Sequence, residues 1–317
     1  MILGVLCAGS ALSAPVQAWN NFGHMTVAAV AWRQLRPAAR ARASELLRLN
    51  PDYSRWVSGV APAQRDVIAF LRASTWADAI KHEAGYRDDG ERDAGPEASL
   101  NGGYEDLREH RYWHYVDAPF SPDGTPLPQT RTPNAATRIA EFRQVLDDPT
   151  AAARLKSYDL TWLLHLVGDI HQPLHAVSRF THELPEGDLG GNRVRVCVAP
   201  CREDLHYFWD AALGRGSAVQ ALALARMLPM PAPADLADDD IQDWLRQSGQ
   251  IARRVAYGRP VGLGVGPYPL NPAYRARARA VARNQAALAG GRLARLLNAA
   301  FAPRGSLAAP PGSGSPP

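Results

Sequence analysis

Cysteine is scarce in this chain: three residues in 317, at positions 7, 197 and 201. So few thiols exclude a thiolate-built zinc fold, which needs several Cys around each ion. The pair in "VRVCVAPC" reads as one small disulfide loop if the chain is exported, or as two free thiols if it is not. Charge of a single sign is also missing. Lys and Arg number 35 against 31 Asp and Glu, a net charge of +4 with pI ≈ 9.1. That balance helps an anionic partner approach but is too diffuse to argue for duplex binding by itself. After the first eighteen residues no apolar run is long enough for a membrane span. There is no repeat at solenoid or propeller spacing, and strand signals are few, with "NRVRVCV" the best of them.

What is present is helical patterning over a chain that is 46% hydrophobic, enough for one large domain or two small ones. "HMTVAAVAWRQL" sets Val27, Val30, Ala31 and Leu35 on one face, and Pro37 opens the next helix. "TRIAEFRQVLDD", "YDLTWLLHLVGDIHQ", "DLHYFWDAALG", "AVQALALARML" and "ADLADDDIQDWLRQSGQIARRVAYG" follow. A long "PAYRARARAVARNQAALAGGRLARLLNAAF" closes the series, its Gly pair weakening the helix without ending it. The expected fold class is all-α, a multi-helix domain. "LPMPAPAD" and "GRPVGLGVGPYPLNP" read as connections, and His82 to Trp113 as a charged, Gly-rich surface excursion.

Both ends read differently. Residues 1–18, "MILGVLCAGSALSAPVQA", are small and apolar, carry no charge and end like a cleavage site, so they are expected to be an export signal. The usual basic n-region is missing ahead of them. Residues 303–317 are Pro/Gly/Ser-rich and expected to be disordered, which leaves 19–302 as the working domain.

The chemistry is carried by histidine and aspartate. His165 and Asp169 stand at i, i+4 in "HLVGD", and His206 and Asp210 repeat the spacing in "HYFWD". At 3.6 residues per turn each pair projects from one helix face. Leu163, Leu164 and Val167 surround the first pair and Leu205, Phe208 and Trp209 the second, which suggests buried helices. A carboxylate and an imidazole there need a partner. Either pair alone could be a buried His–Asp hydrogen bond. Two pairs joined by His175, Asp78 and His114 point to metal, and the His/Asp donor set suits zinc. The donors exceed what one tetrahedral ion takes, which points to a multi-metal phosphoryl chemistry.

The stretches "WNNFGH", "STWADAIK", "HYVDAP", "HLVGDIHQPLH", "DLGGNRV" and "LHYFWD", in that order, resemble the S1/P1 nuclease family. These are zinc-dependent, single-strand-specific nucleases of the mung bean type that share a helical fold with zinc-dependent bacterial phospholipase C. The resemblance implies three Zn²⁺ ions at the bottom of a cleft. Asp78, His114, His165 and Asp169 would hold one. Asp169 would bridge to a second, held also by His24 and by the amino nitrogen and carbonyl oxygen of Trp19. His175, His206 and Asp210 would hold the third. An amide nitrogen is a poor ligand, whereas a free α-amine, with a pKa of roughly 7.7–8.0, can bind metal near neutral pH. Trp19 would therefore serve only after cleavage behind Ala18.

By the same resemblance Asp78 orients the attacking water, and Lys81 neutralises phosphate charge where the family often has Arg. A Lys cannot supply the bidentate fork of an Arg, and the bland reading of Lys81 is a solvated helix Lys. Tyr115 would stack on a base, Asp117 would hydrogen-bond a base edge, and Asn192 lies in a "GGN" motif near the site. The implied activity is cleavage of single-stranded RNA and DNA to 5′-phosphate products, with 3′-nucleotides as further substrates. The implied protein is an exported monomer, periplasmic or secreted, without stable membrane association. A phospholipase C on the same scaffold and a non-catalytic zinc-binding protein are the alternatives. His171 reads as structural, and His82, His110 and His182 as surface residues.

Overall fold

The computed structural model describes residues 19–90, 96–198 and 201–302. The export signal and the tail expected from the sequence lie outside those residues. Helices dominate, as the patterning predicts. The first helix, Asn21–Gln34, packs against the C-terminal helix Pro272–Ala300 and against Ala218–Met227. Its burial goes beyond the single face expected: every residue from Phe22 to Ala31 is buried. A helix covered on all sides carries small residues where neighbours approach, and Ala28, Ala29 and Ala31 fill that role.

The last helix does the same from its side. An added Cβ on Gly290 would lie 2.5 Å from Val30 Cβ and 2.7 Å from the Val27 carbonyl. The Gly pair that weakens this helix locally is thus where it meets the first helix most closely.

Ala153–Asp169 runs through the interior and pairs with Ala135–Asp147. The latter starts at a capping box in which Asn134 accepts from Ala136 and Thr137 N–H. A wall of aromatics lies across them: Trp76, Tyr104, Trp113, Tyr158 and Trp162 meet mostly edge to face, with centroids 5.1–6.3 Å apart.

Three expectations change here. The stretch 82–113 is not simply a surface excursion, because Ala98, Tyr104, Tyr112 and Trp113 from it are core residues. His110 is not a surface residue either. It is fully buried, stacked on Trp113 at 3.5 Å and set between Asp89 and Asp106 at 3.3 and 3.2 Å. The expected helix from Ala234 to Gly258 breaks into Pro233–Ala237, Ile241–Ile251 and a π-turn Ala252–Ala256. Asp240 caps the middle piece by accepting from Gln242 N–H, so the acidic run serves as a helix start.

Strands are short and positional. Ala118–Phe120 pairs in parallel with Val177–Arg179, tying the segment after His114 to the one after His175. Arg195–Cys197, within the expected strand, lies between Glu203–Asp204 and Tyr268–Pro269. Cys197 and Cys201 form a disulfide. No helix among the described residues is long and apolar enough to cross a membrane.

Gly290→Ala should destabilise the protein despite the better helix propensity of Ala. Overpacking costs ~1–3 kcal/mol against a helix gain of ~0.5–1 kcal/mol. A lower urea midpoint is expected; an unchanged or higher one would contradict the close-approach account.

Candidate metal centre

The chemical residues sit at helix ends that converge on one region. His24 lies in the first turn of Asn21–Gln34, Asp78 in the short helix Trp76–Ala79, and His114 directly after the 3₁₀ turn Arg111–Trp113. His165 and Asp169 occupy the end of Ala153–Asp169, His175 lies in Pro173–Ala176, and His206 and Asp210 lie on Leu205–Asp210. All eight are buried.

They assemble into three groups whose ligand atoms lie within 4.8 Å of one another: His24, His165 and Asp169; Asp78, His114 and His165; His175, His206 and Asp210. Asp169 turns one oxygen each way. Its Oδ2 is 3.2 Å from His114 Nδ1 and 3.3 Å from His165 Nε2, and its Oδ1 is 3.4 Å from His24 Nε2. In the third group His206 Nε2 lies 3.1 Å from His175 Nε2 and 3.5 Å from Asp210 Oδ2.

Backbone carbonyls choose which ring nitrogen faces inward. Nδ1 of His165 donates to Ser74 O at 2.7 Å, that of His175 to His114 O at 2.8 Å, and that of His206 to Gly190 O at 2.8 Å. Each Nε2 is then left as a lone-pair donor toward its group. His114 is the reverse case, presenting Nδ1 at 3.0 Å from His165 Nε2.

Burial dominates the electrostatics of these groups. Burial, with neighbouring imidazoles and Lys81, drives His24 and His114 well below the ordinary imidazole range, and burial takes His165 down to about 4. Burial pushes Asp169 and Asp210 well above the usual carboxylate range. Both aspartates end their helices, where the macrodipole is negative and disfavours a carboxylate.

Both oxygens of Asp169 and Nε2 of His24, which faces Oδ1 across the first group, are buried without a hydrogen-bond partner. Ligands at ~2.0–2.1 Å around a tetrahedral zinc lie about 3.3 Å apart, and the spacings above bracket that value. Donor type, spacing and unpaired atoms all fit a metal ion of this kind.

The remaining expected residues fall around this centre. Trp19 is fully buried; its indole Nε1 donates to Gly168 O at 3.0 Å, beside Asp169, and its side chain packs on Gly23. The next residue, Asn20, donates its backbone N–H to Asp210 O at 3.2 Å. Lys81 is not a solvated helix residue. It is 8% exposed and donates from Nζ to Asp78 Oδ1 at 2.8 Å.

Tyr115, Asp117 and Asn192 share with His206 the lining of a cleft of about 640 Å³. Sequence reasoning missed its other walls: Phe180, Leu189, Arg131, Arg193 and the Pro-rich stretch from Pro126 to Pro133. Proline clustering was the one visible signal.

His171 is structural, as read. Its Nδ1 donates to Val167 O at 2.8 Å while buried Arg292 reaches Nε2 at 2.9 Å. Gln285 donates to His171 O at 3.1 Å and Ser248 to Ile170 O at 2.6 Å. Three side chains from the last part of the chain thus hold the turn between Asp169 and His175. His82 and His182 are exposed, as expected.

The helical scaffold gathers at its helix ends three His/Asp groups that could each hold a metal ion, beside an open cleft. A family model described as S1/P1 Nuclease matches residues 19–302, and the chain belongs to that family. Among its relatives, Nuclease S1 of Aspergillus oryzae is 25% identical over 215 residues, 66% of this chain and 59% of that protein. Endonuclease 1 of Arabidopsis thaliana is 26% identical over 221 residues, 66% of this chain and 58% of that protein. Endonuclease 2 of the same plant is 38% identical over 72 residues, 22% of each chain. The matched region spans less than two thirds of the length of each relative.

Asp169→Asn keeps the shape of the side chain but removes the charge that faces His24 on one side and His114 and His165 on the other. Scanning calorimetry before and after chelation should show that the variant loses most of the thermal stabilisation that metal gives the wild type. Equal stabilisation in both proteins would contradict this role.

Proposed function

We propose that the chain is an exported zinc-dependent nuclease that hydrolyses phosphodiester bonds of single-stranded RNA and DNA, leaving 5′ phosphates, and that it also acts on 3′-nucleotides. The observation that carries this is the placement of Tyr115, Asp117 and Asn192 in the same cleft as His206. Family membership supports hydrolysis, and the relatives' names support a nuclease.

Asp78, His114, His165 and Asp169 would hold one zinc, and His24, Asp169 and the α-amine and carbonyl of Trp19 a second. His175, His206 and Asp210 would hold the third. Bound zinc supplies Lewis acidity, positive charge for the phosphate and a lowered pKa for water. Asp78 orients the attacking water. Lys81, pinned to Asp78, places a fixed ammonium near the phosphate. Tyr115 offers a half-buried ring for stacking, which accepts any base but requires it to be unpaired. Asp117 holds a backbone φ of 53° that few non-Gly residues adopt, and it accepts from a base edge. Asn192 donates to Leu189 O at 2.6 Å and keeps its amide oxygen for the substrate. Removal of residues 1–18 frees the Trp19 amine, and export follows from the same leader.

The mature protein should hydrolyse heat-denatured DNA and RNA much faster than duplex DNA, and should leave phosphatidylcholine intact. EDTA should stop the reaction and zinc should restore it. Preference for phosphatidylcholine would favour a phospholipase C, and zinc binding without hydrolysis of any of these would favour a storage protein.

A further inference from the structure

The turn Asp188–Asn192 contributes no member of the three groups, yet it touches both the third group and the cleft. Leu189, Gly190 and Gly191 take φ values of 53°, 60° and 91°, three successive left-handed residues. Leu189 has a Cβ and is strained there. A Cβ on Gly190 would lie 2.4 Å from Leu174 O, so the turn rests directly on the backbone that precedes His175. Such a conformation persists only where its surroundings impose it.

Asp188 imposes it. The residue is fully buried. Its Oδ1 accepts from Arg179 N at 2.9 Å, from Gly191 N at 3.2 Å and from the Tyr257 hydroxyl at 3.1 Å. Its Oδ2 faces Arg179 Nε at 3.4 Å. Its backbone carbonyl accepts from Gly191 and Arg193 N–H, both at 3.1 Å. Arg179 lies over the Tyr257 ring at 4.5 Å and donates to Gly262 O at 2.7 Å, so the counter-ion is itself fixed. Apart from the Tyr257 hydroxyl, the hydrogen bonds of this buried pair go to backbone, while Asp188 Oδ2 and Arg179 Nε meet only as an ion pair. Its output is the orientation of one carbonyl, Gly190 O, which receives His206 Nδ1 at 2.8 Å. On the other side of the turn Leu189 and Asn192 face the cleft.

We infer that Asp188 is the positioning residue of the His175–His206–Asp210 group: it holds the left-handed turn that aims Gly190 O at His206 and thereby keeps His206 Nε2 toward the metal. The inference rests on the zinc reading above and goes beyond it, since Asp188 neither binds metal nor meets substrate. Loss of an outer partner of a metal-binding His lowers metal affinity about 10- to 100-fold. Because Gly190 O serves His206 alone among the histidines of the centre, the loss should fall on one ion of three.

The test is competition for zinc between the mature protein and a chromophoric chelator, with elemental analysis of the bound metal. Wild type, Asp188→Ala, Tyr257→Phe and His206→Ala are compared, the last giving the signature of a site lost outright. Asp188→Ala should release one zinc equivalent at about 10- to 100-fold lower chelator strength and keep the other two at wild-type affinity. Tyr257→Phe keeps the carboxylate and should weaken the same equivalent by a smaller factor. Uniform weakening of all three equivalents would overturn the inference by making Asp188 a general scaffold residue, as would unchanged titrations. If Asp188→Ala fails to fold, an unchanged titration of Tyr257→Phe overturns it. A wild-type protein that binds no zinc overturns the zinc reading as well; three bound zincs with indifferent variants overturn only the role of Asp188.

Discussion

Everything in this fold is arranged around carboxylates and imidazoles buried against one another without enough protons or hydrogen bonds to satisfy them. Asp169 is the clearest case: fully enclosed, at the negative end of its helix, with neither oxygen hydrogen-bonded. Leaving one buried polar atom without a partner costs roughly 1–3 kcal/mol, and more for a charged one. A chain of ordinary marginal stability tolerates several such atoms together only if something else satisfies them. Cations held by the three His/Asp groups would satisfy those atoms.

The surroundings make sense as support for that arrangement. The aromatic wall puts Trp162 5.4 Å from His114 and contributes to the burial that drives this imidazole well below its ordinary range, toward the neutral form with a free lone pair. The carbonyls of Ser74, His114 and Gly190 set ring orientation from behind. Arg292, Gln285 and Ser248 fix the turn that joins Asp169 to His175. The N-terminal segment closes the assembly, with Trp19 bound to Gly168 O and Asn20 to Asp210 O. Helices from the two ends of the chain meet at Gly290 and Val30, so the first and last parts of the sequence are needed in place together.

The histidine–aspartate pairs were legible because i, i+4 spacing maps directly onto one helix face, and their apolar neighbours signalled burial. Helical class and most helix positions were legible for the same reason. Residues 82–113 were not: they are charged and lack periodicity, yet Tyr104, Tyr112 and Trp113 enter the core from 3₁₀ turns that leave no repeat to detect. His110 is buried by stacking and two aspartates, a tertiary arrangement with no local signature. The break at Asp238–Asp240 follows from capping, which competes with helix continuation wherever an Asp can accept from N–H groups ahead of it. The "GGN" motif is visible in the sequence, but the contacts that Asp188 makes with Gly191 N and Arg179 exist only in three dimensions.

Zinc-edge anomalous diffraction from crystals of the mature protein reports directly on the central claim. The account predicts three peaks: one among Asp78, His114 and His165, one between His24 and Asp169, and one among His175, His206 and Asp210. Crystals grown with zinc that show those buried side chains and no anomalous peak among them would contradict it.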